Sequence, residues 1–409
     1  MRITRNKSDL FTRRSRRGHG CFPVFVLLGV AVAVVALGRN WIGEWLNLNR
    51  LQNTEISIAA VQSAFDAGDL QTAINYASQL HVDNAYDEQT IILLIRTLIY
   101  QSYTDYNYSS DLDRALVLSR EGISKHPRSL DMQAIRAYAL QVSGRSDEAN
   151  RMALRIINRS PEHIMARIVL SLSYGSQGIF EAALREADVA VSLSDQYGRY
   201  IMESYRTRAF AYANLTQYTN AILDVDHAMK FNRKLIPLHF ERALYAIQLG
   251  NTDLATVSYF QIMAFDEGNI KVRLRLCELS SQLQEWDASI RYCGEVTQRA
   301  PEWADGWYQL GREFFFKGDF VNAMASFNKC STLQVNQQIP IVDRQLECWY
   351  LQGQSAEILG QCEALMTTYH EFLDMVDRGN LPQTWTYPPG GPPICSEIPP
   401  TVTAIYTSP

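Results

Sequence analysis

The sequence predicts an all-α fold: a solenoid of helical hairpins preceded by one membrane-spanning helix. Three observations carry this. Small residues recur at 73, 115, 149, 183, 221, 255, 289 and 323, so five of the seven intervals are 34 residues and the other two are 42 and 38. Apolar residues follow helical spacing, and continuous β-branched runs are nearly absent. One uncharged apolar run lies close to the N-terminus. The chain has 409 residues, 47% hydrophobic and 20% charged, which supplies ample core and excludes a wholly disordered or collagen-like protein.

Residues 1–20 carry seven Lys/Arg against one Asp, with no apolar period. They read as a disordered basic arm, with an amphipathic membrane-surface helix as the alternative. The net charge is −5, so the remaining residues carry −11. A nucleic-acid-binding fold would place its basic excess on the folded part, so no nucleic-acid partner is expected. From Cys21 to Gly38 there is no Asp, Glu, Lys or Arg, and Trp41, Ile42 and Trp45 extend the apolar character past Arg39. About 20 apolar residues cross a bilayer, and Trp and Arg suit its boundary. Residues 21–46 are therefore expected to be a transmembrane helix with its interface. A cleaved signal peptide, with Ala36 and Gly38 at the cleavage spacing, is the alternative. The charge asymmetry places the N-terminus in the cytoplasm and the rest outside.

The remaining chain is built on the 34-residue period. From Ala304, residues Trp307, Leu310, Gly311, Phe314, Gly318, Phe320, Ala323 and Phe327 give its fullest copy, and Pro127, Pro161 and Pro301 close other copies. This pattern resembles the tetratricopeptide repeat (TPR), a helix–turn–helix unit. The resemblance implies about nine repeats over 54–378, beginning near 54, 88, 130, 164, 202, 236, 270, 304 and 346, stacked as a right-handed superhelix. One hairpin cannot bury its apolar face alone, so copies must stack. Small residues such as Ala137 with Ala149 let paired helices approach. An eight-residue insertion around Tyr103–Tyr108 is either a longer helix or a loop. Residues 379–409 hold eight of the 14 prolines and one charged residue, Glu397, so an irregular tail is expected that either dangles or lies across the last repeat.

Seven cysteines are present. On this topology six lie outside, where disulfides persist. Repeat positions bring Cys277 near Cys293 and Cys330 near Cys348, leaving Cys362 for Cys395. Six cysteines allow fifteen connectivities, and buried free thiols are the alternative.

No phosphate loop, HExxH, GxSxG or calcium-loop spacing occurs, and the histidines are scattered. His126 and His163 read as surface turn residues, and Asp224/Asp226 and Asp374/Asp377 as solvated helix faces. No catalytic residue, metal site or cofactor is assigned. In TPR proteins the first helix of each hairpin lines a concave groove. The resemblance therefore implies a partner-binding groove of Tyr138, Arg206, Phe210, Asn214, Phe240, Gln248, Glu278, Gln282, Tyr308, Arg312 and Phe315. Aromatic, amide and guanidinium groups together suit an extended peptide. The Lys/Asn set that clamps a C-terminal carboxylate is not matched. The expected function is that of a single-pass membrane protein of bacterial type, holding protein or peptide partners outside the cytoplasm and performing no reaction. The alternative is a receptor-like module for a small molecule or glycan, or an accessory subunit of a separate enzyme.

Overall fold

The computed structural model describes residues 56–387 and 391–396. The expected basic arm and transmembrane helix lie outside the described residues. Among the described residues no helix is long and apolar enough to cross a membrane, and none is in a strand. They fall into two compact units divided between Glu267 and Gly268.

The N-terminal unit contains six hairpins. Their helices are α1 (Ile58–Asp66), α2 (Leu70–Asp83), α3 (Glu88–Gln101), α4 (Asp111–Lys125), α5 (Leu130–Val142), α6 (Ser146–Arg159), α7 (Ile164–Ser176), α8 (Phe180–Tyr197), α9 (Ile201–Asn214), α10 (Tyr218–Ala228), α11 (Ile236–Gln248) and α12 (Thr252–Phe265). The C-terminal unit contains α13 (Ile270–Gln282), α14 (Trp286–Arg299), α15 (Ala304–Lys317), α16 (Phe320–Asn336), α17 (Glu347–Ile358), α18 (Cys362–Gly379) and the short α19 (Pro393–Ser396). Within each unit, partners in a hairpin pack together and each second helix packs on the next first helix.

The eight periodic small residues, from Ala73 to Ala323, are completely buried in the second helices. Ala115 is the fifth residue of its helix and the others are the fourth, so one packing contact repeats at each hairpin. A larger side chain there would hold the paired helices apart. Side-chain caps open several helices: Asp69, Ser129 and Asn269 accept from the backbone N–H of Thr72, Met132 and Val272 at 3.0, 2.9 and 2.9 Å. The residue ending the hairpin turn is left-handed, as at Gly250 (φ +80°), and Thr216 and Gln284 adopt the same conformation at +59° and +60°.

The two departures from the 34-residue step are taken up in different ways. The Tyr-rich insertion after α3 becomes a turn with a 3-10 segment, Tyr106–Tyr108, and its Thr104 and Asp105 are buried. The four-residue insertion lengthens α8 to 18 residues and leads through Gly198 to Tyr200, a non-glycine residue at φ +55°. The N-terminal unit also closes on itself. The Asn232 side-chain amide donates to the Phe65 carbonyl at 2.6 Å, across 167 residues. Gly68 lies so near Lys234 that a Cβ there would come within 2.7 Å of the lysine Cβ.

In the C-terminal unit, disulfides join Cys277–Cys293, Cys330–Cys348 and Cys362–Cys395, with Cα separations of 5.4, 6.0 and 5.4 Å. After α18 the chain lies across the last hairpin. Trp385, 4% exposed, is ringed by Tyr350, Tyr369, Phe372 and Tyr387 at centroid distances of 5.0–5.9 Å. The tail is not wholly irregular, since α19 forms one turn opened by Pro393. Proline is tolerated there because the first helical N–H has no intrahelical acceptor.

Candidate functional site

In the N-terminal unit, side chains on several first helices pack on one another across the hairpins. Arg206 on α9 donates from Nε to both Glu241 carboxylate oxygens, at 2.7 and 2.9 Å, and from a terminal nitrogen to the Tyr138 hydroxyl at 3.1 Å. The Tyr100 and Tyr103 rings lie 5.3 and 5.4 Å from its guanidinium carbon. Desolvation disfavours the charged guanidinium, but Glu241 and the two tyrosines Tyr138 and Tyr100 outweigh it and hold the group well above its ordinary range. Burial pushes the Tyr100 and Tyr138 phenols up. One turn earlier on α9, Glu203 pairs with Arg96 of α3, whose guanidinium carbon sits 4.1 Å from the Phe65 ring centroid and 5.8 Å from that of Tyr200.

The expected groove residues of this unit therefore divide. Tyr138 is buried, and Arg206 is engaged on every side. Phe210 and Asn214 lean on Gly175, where a Cβ would come within 2.8 and 2.9 Å of them. Phe240 is half-buried beside Tyr259 at 6.2 Å, and Gln248 is exposed.

The C-terminal unit presents a more open face. On α15, Tyr308, Arg312 and Phe316 are spaced four apart and so share one side. The Arg312 guanidinium carbon lies 5.7 Å from the Tyr308 ring centroid and 5.5 Å from that of Phe316. Phe316 is 53% exposed, with Trp286 6.1 Å away. Phe315 packs edge-on against Phe320 at 5.3 Å. Glu278 is half-buried and paired with Arg275 at 2.5 Å, and Gln282 is exposed.

Sequence reasoning omitted Arg96, Tyr100, Glu203, Glu241, Trp286 and Phe316. Two signals were available. Glu241 lies about one repeat beyond Arg206, and Phe316 continues the four-residue step from Tyr308 and Arg312. Nothing in the linear pattern pairs Arg96 with Glu203, because closure of the unit brings them together.

Two polar residues differ from expectation. His163 is not a surface turn residue: its Nδ1 accepts from the Ala166 N–H at 3.3 Å, capping α7, and its side chain is 10% exposed. Asp224 is not solvated but buried against Arg208, with Nε to carboxylate oxygen 2.7 Å. Its neighbour Asp226 keeps a side chain 39% exposed, beside Arg242 at 2.7 Å. At Asp224, desolvation is offset by charge-assisted hydrogen bonds from two Arg208 nitrogens, at 2.7 and 2.9 Å. Asp374 is exposed, as expected, and pairs with Arg378. Among the described residues no group of three or more His, Cys, Asp or Glu is placed to hold a metal ion.

A tetratricopeptide-repeat family model matches residues 304–334, the α15–α16 hairpin. No curated protein matches the sequence. Among solved structures, the APC/C hetero-tetramer Cut9–Hcn1 is similar, with a TM-score of 0.52 at 15% identity over 75% of this chain. The chain spans 56% of the length of that protein. A tetratricopeptide repeat protein from Parabacteroides merdae matches at 18% identity and TM-score 0.42, over 60% of this chain and 93% of its own. A TPR protein from Thermus thermophilus matches at 18% identity and TM-score 0.39, over 48% of this chain and 100% of its own. The described chain is an all-helical, TPR-like solenoid of many hairpins.

Proposed function

We propose that this protein is a membrane-anchored, single-pass scaffold of bacterial type that holds a protein or peptide partner on its C-terminal hairpins, outside the cytoplasm, and performs no reaction. One observation carries the binding part. The Tyr308–Arg312–Phe316 stripe, flanked by Trp286, combines accessible aromatic area with a guanidinium group. Aromatic and Arg side chains dominate protein–protein binding energy because they bury much surface and still satisfy polar groups. In the N-terminal unit the corresponding inner-face residues are occupied by one another, so they contribute rigidity more than contact.

The location rests on other grounds. The uncharged run from Cys21 to Gly38 is close to bilayer length, and the basic residues before it favour a cytoplasmic N-terminus. Three disulfides in the C-terminal unit suit an oxidising compartment.

The test is affinity capture of partners by the full chain from detergent-solubilised membranes. Wild type should retain a defined protein that the Tyr308→Ala, Arg312→Ala double variant loses by tenfold or more, with unchanged circular dichroism. Equal retention by the double variant refutes the α15 surface. Separately, protease added to intact spheroplasts should digest the repeats; complete protection refutes the topology.

A further inference from the structure

The three disulfides of the C-terminal unit differ in what can reach them. Cys277, Cys293, Cys330 and Cys348 are completely buried. Cys362 and Cys395 are half-buried, and Cys362 lines an open recess of about 590 Å³ together with Gln361, Thr367 and Glu371. A disulfide is reduced when a thiolate reaches one of its sulfurs, so access decides which bond yields first. The leaving group acts in the same direction. Cys362 is the first residue of α18, where the unpaired N–H groups of the helix favour a thiolate. Glu363 beside it is exposed, so water and salt screen its charge. Cys348 lies equally near the start of α17, but its burial shields that bond.

The accessible bond also closes a loop over an apolar face. At one end, the Leu381 N–H donates to the Val376 carbonyl at 2.9 Å, fixing the chain as it leaves α18. At the other, Cys395 is tied back to the start of the same helix. Between them, residues 381–387 are in neither helix nor strand, and side chains hold them. Trp385 fills the space beside Gly353, and the Tyr387 hydroxyl donates to a Glu357 carboxylate oxygen at 2.7 Å. Tyr350, Tyr369 and Phe372 pack on the Trp385 ring. The bond spans 33 residues. Cutting it leaves the segment fixed at one end only, which returns conformational entropy to its open states.

We infer that Cys362–Cys395 is a redox latch. Its reduction by a dithiol lets residues 381–387 leave the α17–α18 face, while Cys277–Cys293 and Cys330–Cys348 stay intact and keep the hairpins joined. One thiolate of the dithiol attacks the Cys395 sulfur, the S–S bond breaks, and Cys362 leaves as a thiolate. The second thiolate then attacks the mixed disulfide and frees Cys395. Two electrons and two protons pass from the dithiol to the two cysteines, and the dithiol ends as a disulfide. The face uncovered is aromatic, formed by Tyr350, Tyr369 and Phe372 around Gly353. The inference does not rest on the α15 surface.

The experiment treats the full chain in detergent with graded dithiothreitol, then blocks free thiols with iodoacetamide and maps them by mass spectrometry. Cys362 and Cys395 should be blocked at a dithiothreitol concentration at least tenfold below that needed for the other four. After removal of the reagents, chymotrypsin should cut after Trp385 at least tenfold faster in this partly reduced protein than in the oxidised one. The Cys362→Ser, Cys395→Ser double variant should be cut at the fast rate without reductant. If that variant fails to fold, the partly reduced wild type carries the test alone. The inference is overturned if the buried pairs are reduced as readily as Cys362–Cys395, or if opening that bond leaves cleavage after Trp385 unchanged.

Discussion

Trp385 and Gly353 should be coupled so strongly that one substitution changes sign in the background of the other. An ideal Cβ on Gly353 would lie 2.1 Å from the Trp385 ring and 2.7 Å from a second ring carbon, so the indole fills the space that any other residue needs. Burying a tryptophan removes roughly 200 Å² from water, worth about 5 kcal/mol at about 25 cal/mol per Å². Measured truncations of this kind cost about 3–5 kcal/mol. Trp385→Ala should destabilise the last hairpin by that amount. Gly353→Ala should cost about 2–4 kcal/mol, because it must expel or distort the same ring. With Trp385 already gone, the same glycine change meets no obstacle. It should then stabilise α17 by about 0.5–1 kcal/mol through helix propensity alone. The assay is hydrogen exchange of the α17 and α18 amides in the four proteins of the cycle, which reads local opening where one global unfolding energy is ill-defined for a repeat array. If Gly353→Ala destabilises equally in both backgrounds, the tail does not cover the last hairpin and the packing argument fails. The segment after α18 covers the apolar face of the α17–α18 hairpin as a stacked hairpin would.

Thr216 and Gln284 occupy the left-handed turn position that Gly250 fills elsewhere. Thr216→Gly and Gln284→Gly should each stabilise by about 1 kcal/mol in thermal or urea unfolding, because the Cβ strain in that region is of order 1–2 kcal/mol and glycine returns part of it as chain entropy. Loss of stability in either variant refutes the strain. On α15, burial raises the Glu313 carboxyl, and the Ser281 and Ser289 hydroxyls offset this only in part. A raised folded pKa means the protonated form stabilises the fold below the unfolded value near 4.3, and that contribution is lost as pH rises through the folded pKa. Glu313→Gln should therefore raise the melting temperature at pH 7, with the gain shrinking toward pH 4. A gain that does not depend on pH counts against the burial argument.

The sequence by itself determined the helical hairpins and their step. Ala73, Ala149 and Ala323 recur because paired helices must approach closely at one point, and that need is local to each hairpin. It repeats in the sequence and is legible there. The same register brought Cys277 to Cys293 and Cys330 to Cys348, and Cys362 with Cys395 was the pair left over. Tertiary structure decided the rest. Closure of the N-terminal unit brought Phe65 to Asn232 and Arg96 to Glu203. It also turned Tyr138 and Arg206 from an expected open groove into an interior cluster. The two insertions, silent as sequence, became the Tyr103 contact on Arg206 and the Tyr200 contact on Arg96. The packing of Trp385 into the notch at Gly353 was equally hidden. Each is a contact between residues tens to more than a hundred positions apart. Its energy depends on small rotations summed over several hairpins, and no single 34-residue copy records that sum.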